Sequence, residues 1–203
     1  AVSATRPVEI LLQASGWRDI FAGLAILTVF VSLMILFLVP EKSGAVKTVE
    51  SFGQQLKGYK VVFCDGFFWR VCLIYAISYT AFVSYQTLWA DPWLRDVAGL
   101  KQTERANYLL AIQLGFFLGL LLTGGIADLL RKTRIRAVHV FGAGVLMFMA
   151  IQVLLALGVT TGLMAIWFLF GLLSSATYLA YAAQTAHFPG AVTGRAITAM
   201  NFF

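Results

Sequence analysis

The chain has 203 residues, of which 60% are hydrophobic and only 12% carry a charge. A water-soluble domain of this length cannot hide so much apolar side chain, because a folded surface needs a larger share of polar groups. The net charge of +6 raises nucleic-acid binding as an alternative, but the basic residues fall in short loops between apolar segments rather than on one polar face. The composition therefore predicts an integral membrane protein that does not bind nucleic acid.

Apolar segments recur along the chain at the length needed to cross a bilayer, which is about 20 residues for roughly 30 Å of hydrocarbon. Residues 1–19 are expected to form an outer loop. The first span follows at residues 20–39 and is closed by Pro40. Backbone groups that face lipid find no water, so each span is predicted to be a helix. We expect Asp91-Pro92 to end the second span. The later spans cover about residues 71–90, 108–127, 137–157, 163–185 and 196–203.

Residues 40–69 form the one long polar connection between spans. Its apolar side chains recur at helical spacings of three and four residues, with lysines and glutamines between them. This stripe predicts an amphipathic helix lying on the inner membrane surface, where lysines suit anionic lipid. A disordered linker is the alternative. The stripe consists of Val49, Phe52, Leu56, Tyr59 and Phe63.

The basic residues are unequally shared between the two sides of the membrane. Ten lysines and arginines fall in or beside residues 40–70, 128–136 and 186–195, and five fall on the opposite side. Short loops rich in these residues stay in the cytoplasm. We therefore expect those three loops to be cytoplasmic.

The sequence offers no pattern typical of catalysis or of metal binding. Cys64 and Cys72 have neither zinc nor haem spacing, and they are expected to be reduced and structural. His139 and His187 stand apart from any cluster of possible metal ligands. No Gly-rich phosphate loop is present in the sequence either. We predict no enzymatic activity, no metal site and no cofactor.

The stretch GGIADLLRKTRIRAV, residues 124–138, resembles the cytoplasmic loop motif of the major facilitator superfamily. In that motif a Gly is followed four positions later by Asp and then by a basic run, as Gly124 and Asp128 are here. Leu129 and Thr133 depart from the pattern, which favours the weaker second copy of the motif, between helices 8 and 9.

Other segments follow the same order as in that superfamily. GWRDIF (16–21) is similar to the outer entry to helix 6, TLWADPWLRDVAGL (87–100) to the outer turn after helix 7, and HFPGAVTGRA (187–196) to the turn before helix 11. The resemblance implies an all-α, polytopic bundle that forms helix 6 to early helix 11 of a twelve-helix fold. Residues 40–69 would link the two halves, and 70–203 would form the truncated C-terminal half.

The chain begins without Met or a signal peptide and ends within an apolar run. We therefore expect a fragment whose principal partner is the missing N-terminal half of the same protein. The Trp-rich outer turn and the FP…GRA turn favour nitrate/nitrite-like bacterial carriers, and hence the bacterial inner membrane.

The resemblance also implies a conformational gate around the loop at residues 124–138. Paired glycines allow close helix approach, and an acid at a helix junction can accept backbone hydrogen bonds and pair with a base. The alternative is that this loop only sets topology. The candidate gate residues are Gly124, Asp128, Arg131, Lys132 and Arg195.

Polar and aromatic stripes mark a candidate solute site on the second and fifth spans, which correspond by resemblance to cavity-lining helices 7 and 10. Such stripes can equally serve helix packing, as we expect of the glycine pairs Gly115/Gly119 and Gly142/Gly144. No charged residue lies in the middle of a complete span, so coupling charges are expected in the missing half. The candidate solute-binding residues are Tyr75, Tyr79, Phe82 and Gln86, and then Ser174, Tyr178 and Tyr181, with Thr185 ending the stripe.

These features together predict secondary transport of a small molecule or ion across a lipid bilayer. A membrane scaffold or sensor that reuses the same helices is the alternative.

Overall fold

The computed structural model describes residues 16–39, 52–130 and 136–203, and across those ranges the regular structure is helical throughout. The chain divides into two units, residues 1–50 and residues 51–203. A π-helical turn (Tyr85–Trp89) joins α3 to α4, and a 3₁₀ turn (Ser175–Tyr178) joins α7 to α8. The helices in chain order are α1 (Trp17–Leu38), α2 (Phe52–Phe63), α3 (Gly66–Ser84), α4 (Ala90–Asp96), α5 (Gln102–Leu130), α6 (Ala137–Ala156), α7 (Leu163–Ser174), α8 (Leu179–His187) and α9 (Gly190–Met200).

Helix α1 is the described part of the first unit. The carboxylate of Asp19 accepts a hydrogen bond from the Gly16 N–H at the helix N-terminus. The hydroxyls of Thr28 and Ser32 donate to carbonyl oxygens one turn earlier, so these polar groups are satisfied within the helix. The helix contains no buried residue, and its apolar surface suits lipid or further helices.

Five helical segments in the described ranges are long and apolar enough to cross a membrane. Many of their apolar side chains remain exposed, with Ile77 at 70% and Leu146 at 68%. Such surfaces are costly in water but favourable against lipid. The protein is therefore an integral membrane protein. The segments are Trp17–Leu38, Gly66–Asp96, Gln102–Ile126, Ala137–Ala156 and Leu163–His187.

The second span is longer than predicted at both ends. It starts at Gly66, because the Asp65 carboxylate accepts hydrogen bonds from the first free N–H groups of α3. The prediction that Asp91-Pro92 ends it is wrong, since α4 continues to Asp96. The π turn shifts the backbone register, and the Ala90 N–H donates to the Tyr85 carbonyl. Pro92 follows this π turn closely, and π bulges are among the places where a helix accommodates a local break in its hydrogen bonds.

Glycines set the spacing between α5 and α7. A Cβ on Gly115 would overlap the Phe168 carbonyl oxygen, and one on Gly171 would overlap the Ile112 carbonyl oxygen. The two backbones therefore approach as closely as glycine allows, and the packing role predicted for Gly115 is confirmed.

The other glycines with predicted packing roles have different surroundings. Gly119 faces the Leu172 carbonyl and the Ser175 hydroxyl, and Gly144 faces Ala176. Gly142 has no described atom within 4 Å of the position that its Cβ would occupy. The packing role predicted for Gly142 therefore has no partner among the described residues.

Two buried clusters form the interior of the second unit. The first core cluster lies toward Asp65 and includes Phe68, Cys72 and Phe141. The second core cluster lies toward the opposite ends of the same helices and includes Phe148 and Phe170, whose ring centroids are 5.1 Å apart. Tyr75 and Phe68, which make polar contacts with α8, belong to the first core cluster.

Helix α2 lies within the predicted polar connection and packs on α9. Val62 is fully buried, Tyr59 packs against the first core cluster, and a Cβ on Gly58 would overlap the Arg195 side chain. Leu56, of the predicted stripe, is exposed. Contact with α9 thus selects a face that shares Tyr59 with the predicted stripe but is centred on Val62 and leaves Leu56 outside. Of the predicted stripe, Val49 and the side chain of Phe52 lie outside the described residues.

Candidate functional site

Four tyrosines from two helical segments meet at one site, which we call the tyrosine cluster. Tyr75 and Tyr79 on α3 stack with their ring centroids 5.6 Å apart and their planes 7° apart. Tyr178 and Tyr181 on the opposite segment lie 6.1 Å apart at 28°. Tyr79 meets Tyr178 at 89°, and Tyr75 meets Tyr181 at 74°. The cluster therefore forms two aromatic walls that stand nearly perpendicular to each other.

Hydrogen bonds fix the orientation of part of the tyrosine cluster. The hydroxyl oxygens of Tyr75 and Tyr181 are 2.8 Å apart, and the Tyr181 hydroxyl donates to Oδ1 of Asn201. Because Tyr181 gives its single proton to Asn201, Tyr75 must donate in the bond between the two tyrosines. Asn201, at the C-terminal end of α9, thus orients both rings.

A cavity of about 400 Å³ opens beside these rings. Its volume suits a small solute, because ligand pockets are typically about 300–1,000 Å³. None of the described residues that line it is charged, and its polar groups are hydroxyls and one amide. The lining residues are Tyr75, Tyr79, Thr80, Tyr178, Tyr181, Met200, Asn201, Phe202 and Phe203.

The 3₁₀ turn between α7 and α8 positions Tyr178. The hydroxyls of Ser174, Ser175 and Thr177 each donate to a carbonyl oxygen three residues earlier, at 2.6–2.7 Å. Such bonds favour a tighter turn than the α-helix. Tyr178 ends this turn, so the polar run before it determines where its ring lies.

Three of the predicted solute-binding residues lie outside the cavity. Ser174 is 1% exposed, and its hydroxyl bonds to Gly171 within its own helix. Phe82 is buried in the second core cluster against Phe116 and Phe170, since α5 and α7 cover α3 at this depth. Gln86 lies in the π turn, which alters the direction of its side chain relative to the α-helical stripe.

Five lining residues were not predicted from the sequence, and two of them, Thr80 and Asn201, are polar. Thr80 follows Tyr79 directly, and a search for spacings of three and four residues passes over it. Asn201 interrupts the last apolar run, and an isolated polar residue in such a run was a signal available in the sequence.

The predicted gate residues are only partly described. Gly124 lies in α5 with no described atom within 4 Å of the position that its Cβ would occupy. Arg195 lies against Gly58 where α9 meets α2. The side chain of Asp128 and residues 131–135, which include Arg131 and Lys132, lie outside the described part of the chain. The gate therefore stays a prediction.

We expect Tyr181→Phe to lower the free energy of unfolding by roughly 1 kcal/mol, because two hydrogen bonds lose their shared hydroxyl. Thermal unfolding of the purified protein in lipid nanodiscs measures this change. Tyr108→Phe, on α5 and outside the cluster, is the matched control. Equal unfolding temperatures for the two variants would show that the hydroxyl of Tyr181 does not stabilise the cluster.

The fold and the site define a polytopic helical membrane protein with an uncharged, aromatic cavity between its helices. The family model of the Major Facilitator Superfamily matches residues 8–203. The chain therefore belongs to the Major Facilitator Superfamily, a family of membrane transporters. The resemblance of residues 124–138 to that superfamily is confirmed at the level of the family. Comparisons with curated proteins and with solved structures gave no match.

Proposed function

We propose that this chain moves a small solute across the membrane by alternating access, with the tyrosine cavity as its solute site. The observation that supports this function is the meeting of four tyrosines and Asn201, from three helical segments, around one cavity. Hydroxyls and an amide offer hydrogen bonds to a solute, and the aromatic walls offer apolar contact.

Two irregular turns near the tyrosine cavity support a conformational change at the solute site. The π turn lies six residues after Tyr79, and the 3₁₀ turn ends at Tyr178. Helices that bind solutes in transporters are commonly interrupted, and a 3₁₀ stretch inside a helix often marks a hinge. Two of the three helical segments that line the cavity can therefore bend close to the solute.

The same proposal extends to the rest of the carrier. The chain would be helix 6 to early helix 11 of a twelve-helix protein in the bacterial inner membrane, with an N-terminal half that completes the pathway. Residues 40–69 would be the cytoplasmic link between the halves. Because the described lining is uncharged, ion coupling or recognition of an anion such as nitrate would depend on charges from the other half.

Uptake into proteoliposomes that carry the native protein tests this function. The probes are radiolabelled neutral and anionic solutes, nitrate among them. Uptake that saturates with concentration for at least one probe supports transport. Absence of protein-dependent uptake for the whole panel favours the alternative, a scaffold or sensor built on the same helices.

We expect Asp128→Asn to change the transport rate roughly two- to fivefold, since a charge at a helix terminus contributes about 0.3–1 kcal/mol. The measurement is the initial rate of uptake, normalised to the amount of protein in the membrane. Asp96→Asn, which removes an exposed acid paired with Arg95, serves as the control. If both variants transport at the wild-type rate, the loop at residues 124–138 acts in topology alone.

A further inference from the structure

Polar contacts join α3 to the segment from Tyr178 to His187 at four successive levels, which we call the polar seam. The contacting residues on the second segment are three positions apart, and they run from the tyrosine cavity to the end of the bundle. Such a row of contacts along the first core cluster holds the helices in register. The pairs are Tyr178 with Tyr79, Tyr181 with Tyr75, Gln184 with the Phe68 carbonyl, and His187 with Asp65.

The last level of the seam is an ion pair when His187 is protonated. Nε2 of His187 lies 2.9 Å from Oδ2 of Asp65, and the two side chains are 37% and 28% exposed. The ring of Phe67 stacks on the imidazole at 4.2 Å, a contact that favours a cation over a neutral ring. Water reaches this pair, while the level above it, at Gln184, is fully buried.

The carboxyl group of Asp65 supplies a lasting negative charge. Burial raises its pKa, but hydrogen bonds from His187 and from the N–H groups of Phe68 and Phe67 outweigh burial and leave the pKa below the usual value. The lowered pKa keeps the Asp65 carboxyl group ionised at pH values below those at which an ordinary aspartate takes up its proton, so its negative charge persists throughout the neutral range. Near neutral pH, imidazole is the side chain that ordinarily changes its charge.

Other charged groups lie on the elements packed around His187. Arg70 on α3 donates to the Gly66 carbonyl, Arg136 and His139 lie at the start of α6, and Arg195 on α9 lies against Gly58. Among the residues that the structure describes, Asp65 is the charged partner recorded within 4 Å of His187.

We propose that Asp65 and His187 form a proton-binding site that tightens the polar seam and so closes the tyrosine cavity on this side. The imidazole takes the proton from water and returns it to water, with no other bond made or broken. A hydrogen bond between ions is stronger than one from a neutral ring. When the contact at His187 tightens, α8 is drawn toward α3, and with it Tyr181, six residues earlier on the same helix. The effect on solute rests on the proposed function, whereas proton binding does not.

The buried thiol of Cys72 can report the state of the seam. Cys72 lies on α3 between Phe68 and Tyr75 and packs in the same core cluster as Leu179 and Ala180 of α8. Separation of α3 from α8 therefore exposes it to N-ethylmaleimide. Cys64, which is exposed, is first replaced by serine. The protein is held in lipid nanodiscs without any solute.

At about pH 6, we expect N-ethylmaleimide to react with Cys72 about three- to fivefold more slowly in the Cys64→Ser protein than in the same protein carrying His187→Gln. This difference in rate is expected because a partly exposed ion pair contributes up to about 1 kcal/mol. At about pH 8 the two rates should agree, since neutral imidazole and glutamine both form an uncharged bond. Comparison at one pH cancels the thiol's own pH dependence. Asp65→Asn, which retains a helix cap, should behave as His187→Gln does.

The control variant is His139→Gln, which removes the chain's other histidine and should leave the Cys72 rate unchanged at both pH values. Equal rates for His187→Gln and its background at about pH 6 would overturn the proposal. An equal difference between these two Cys72 rates at both pH values would also overturn it, because such a difference indicates a packing effect without proton binding. A faster Cys72 rate in His139→Gln would overturn it as well. The labelling of Cys72 tests proton binding without any solute, whereas uptake into proteoliposomes tests transport. A negative result in either experiment therefore does not contradict the other claim.

Discussion

Gly171→Ala is expected to destabilise the helix bundle by roughly 1–3 kcal/mol, although alanine is the better helix former. The added methyl group would overlap the Ile112 carbonyl oxygen and press on the backbone nitrogen of Phe116. These are backbone atoms, so relief requires α5 and α7 to move apart rather than a side chain to rotate. Because Gly115 makes the reciprocal contact with Phe168, Gly115→Ala should have an effect of similar size. Thermal unfolding in lipid nanodiscs measures both.

Gly142→Ala and Gly124→Ala are the matched controls for these substitutions. Both glycines are helical, and neither has a described atom within 4 Å of the position of a new Cβ. Each should be neutral or should stabilise its helix by up to about 1 kcal/mol. If Gly171→Ala unfolds at the same temperature as Gly142→Ala, then α5 and α7 do not approach at their backbones.

Tyr79→Ala is expected to lower the kcat/KM for uptake at least about tenfold, which corresponds to about 1.4 kcal/mol of transition-state stabilisation. The substitution removes one of the two rings of an aromatic wall, and with it the ring contacts with Tyr75 and Tyr178. Tyr79 is 37% exposed, so most of the loss should fall on transport rather than on folding. Concentration dependence of uptake in proteoliposomes measures the change for whichever probe is transported.

Two further variants separate the ring of Tyr79 from general damage to α3. Tyr79→Phe retains the ring and should retain more uptake than Tyr79→Ala. Ile77→Ala, two residues earlier and on an exposed face, should transport as wild type does. Wild-type kcat/KM in Tyr79→Ala would place the solute site away from the tyrosine cluster.

The helical architecture could be predicted because lipid leaves the backbone few alternatives. Any apolar run of sufficient length must be a helix in hydrocarbon, and each of the five spanning segments overlaps an apolar run visible in the sequence. The helix ends were less predictable. Asp65 extends α3 by capping its N-terminus, and the π turn carries the helix past Pro92. Both effects depend on hydrogen bonds that a hydropathy pattern does not contain.

The candidate site was predictable only in part, for a related reason. Spacings of three and four residues place Tyr75, Phe82 and Tyr79 along one stripe, but they do not tell which neighbour covers each level. α5 and α7 cover Phe82, whereas the level of Tyr75 and Tyr79 opens on the cavity. Asn201 joins the site through a third helix, which no periodicity within α3 or α8 could indicate.

Accessibility of a cysteine at position 80 tests most directly whether the tyrosine cavity is an alternating solute site. Thr80→Cys, in a background with Cys64 and Cys72 replaced by serine, is exposed to a membrane-impermeant thiol reagent from each face of the membrane. Ile77→Cys, on the exposed face of the same helix, is the control. Alternating access predicts that Thr80→Cys is labelled from both faces and Ile77→Cys from neither. Labelling of Thr80→Cys from one face alone, or from neither, would contradict it.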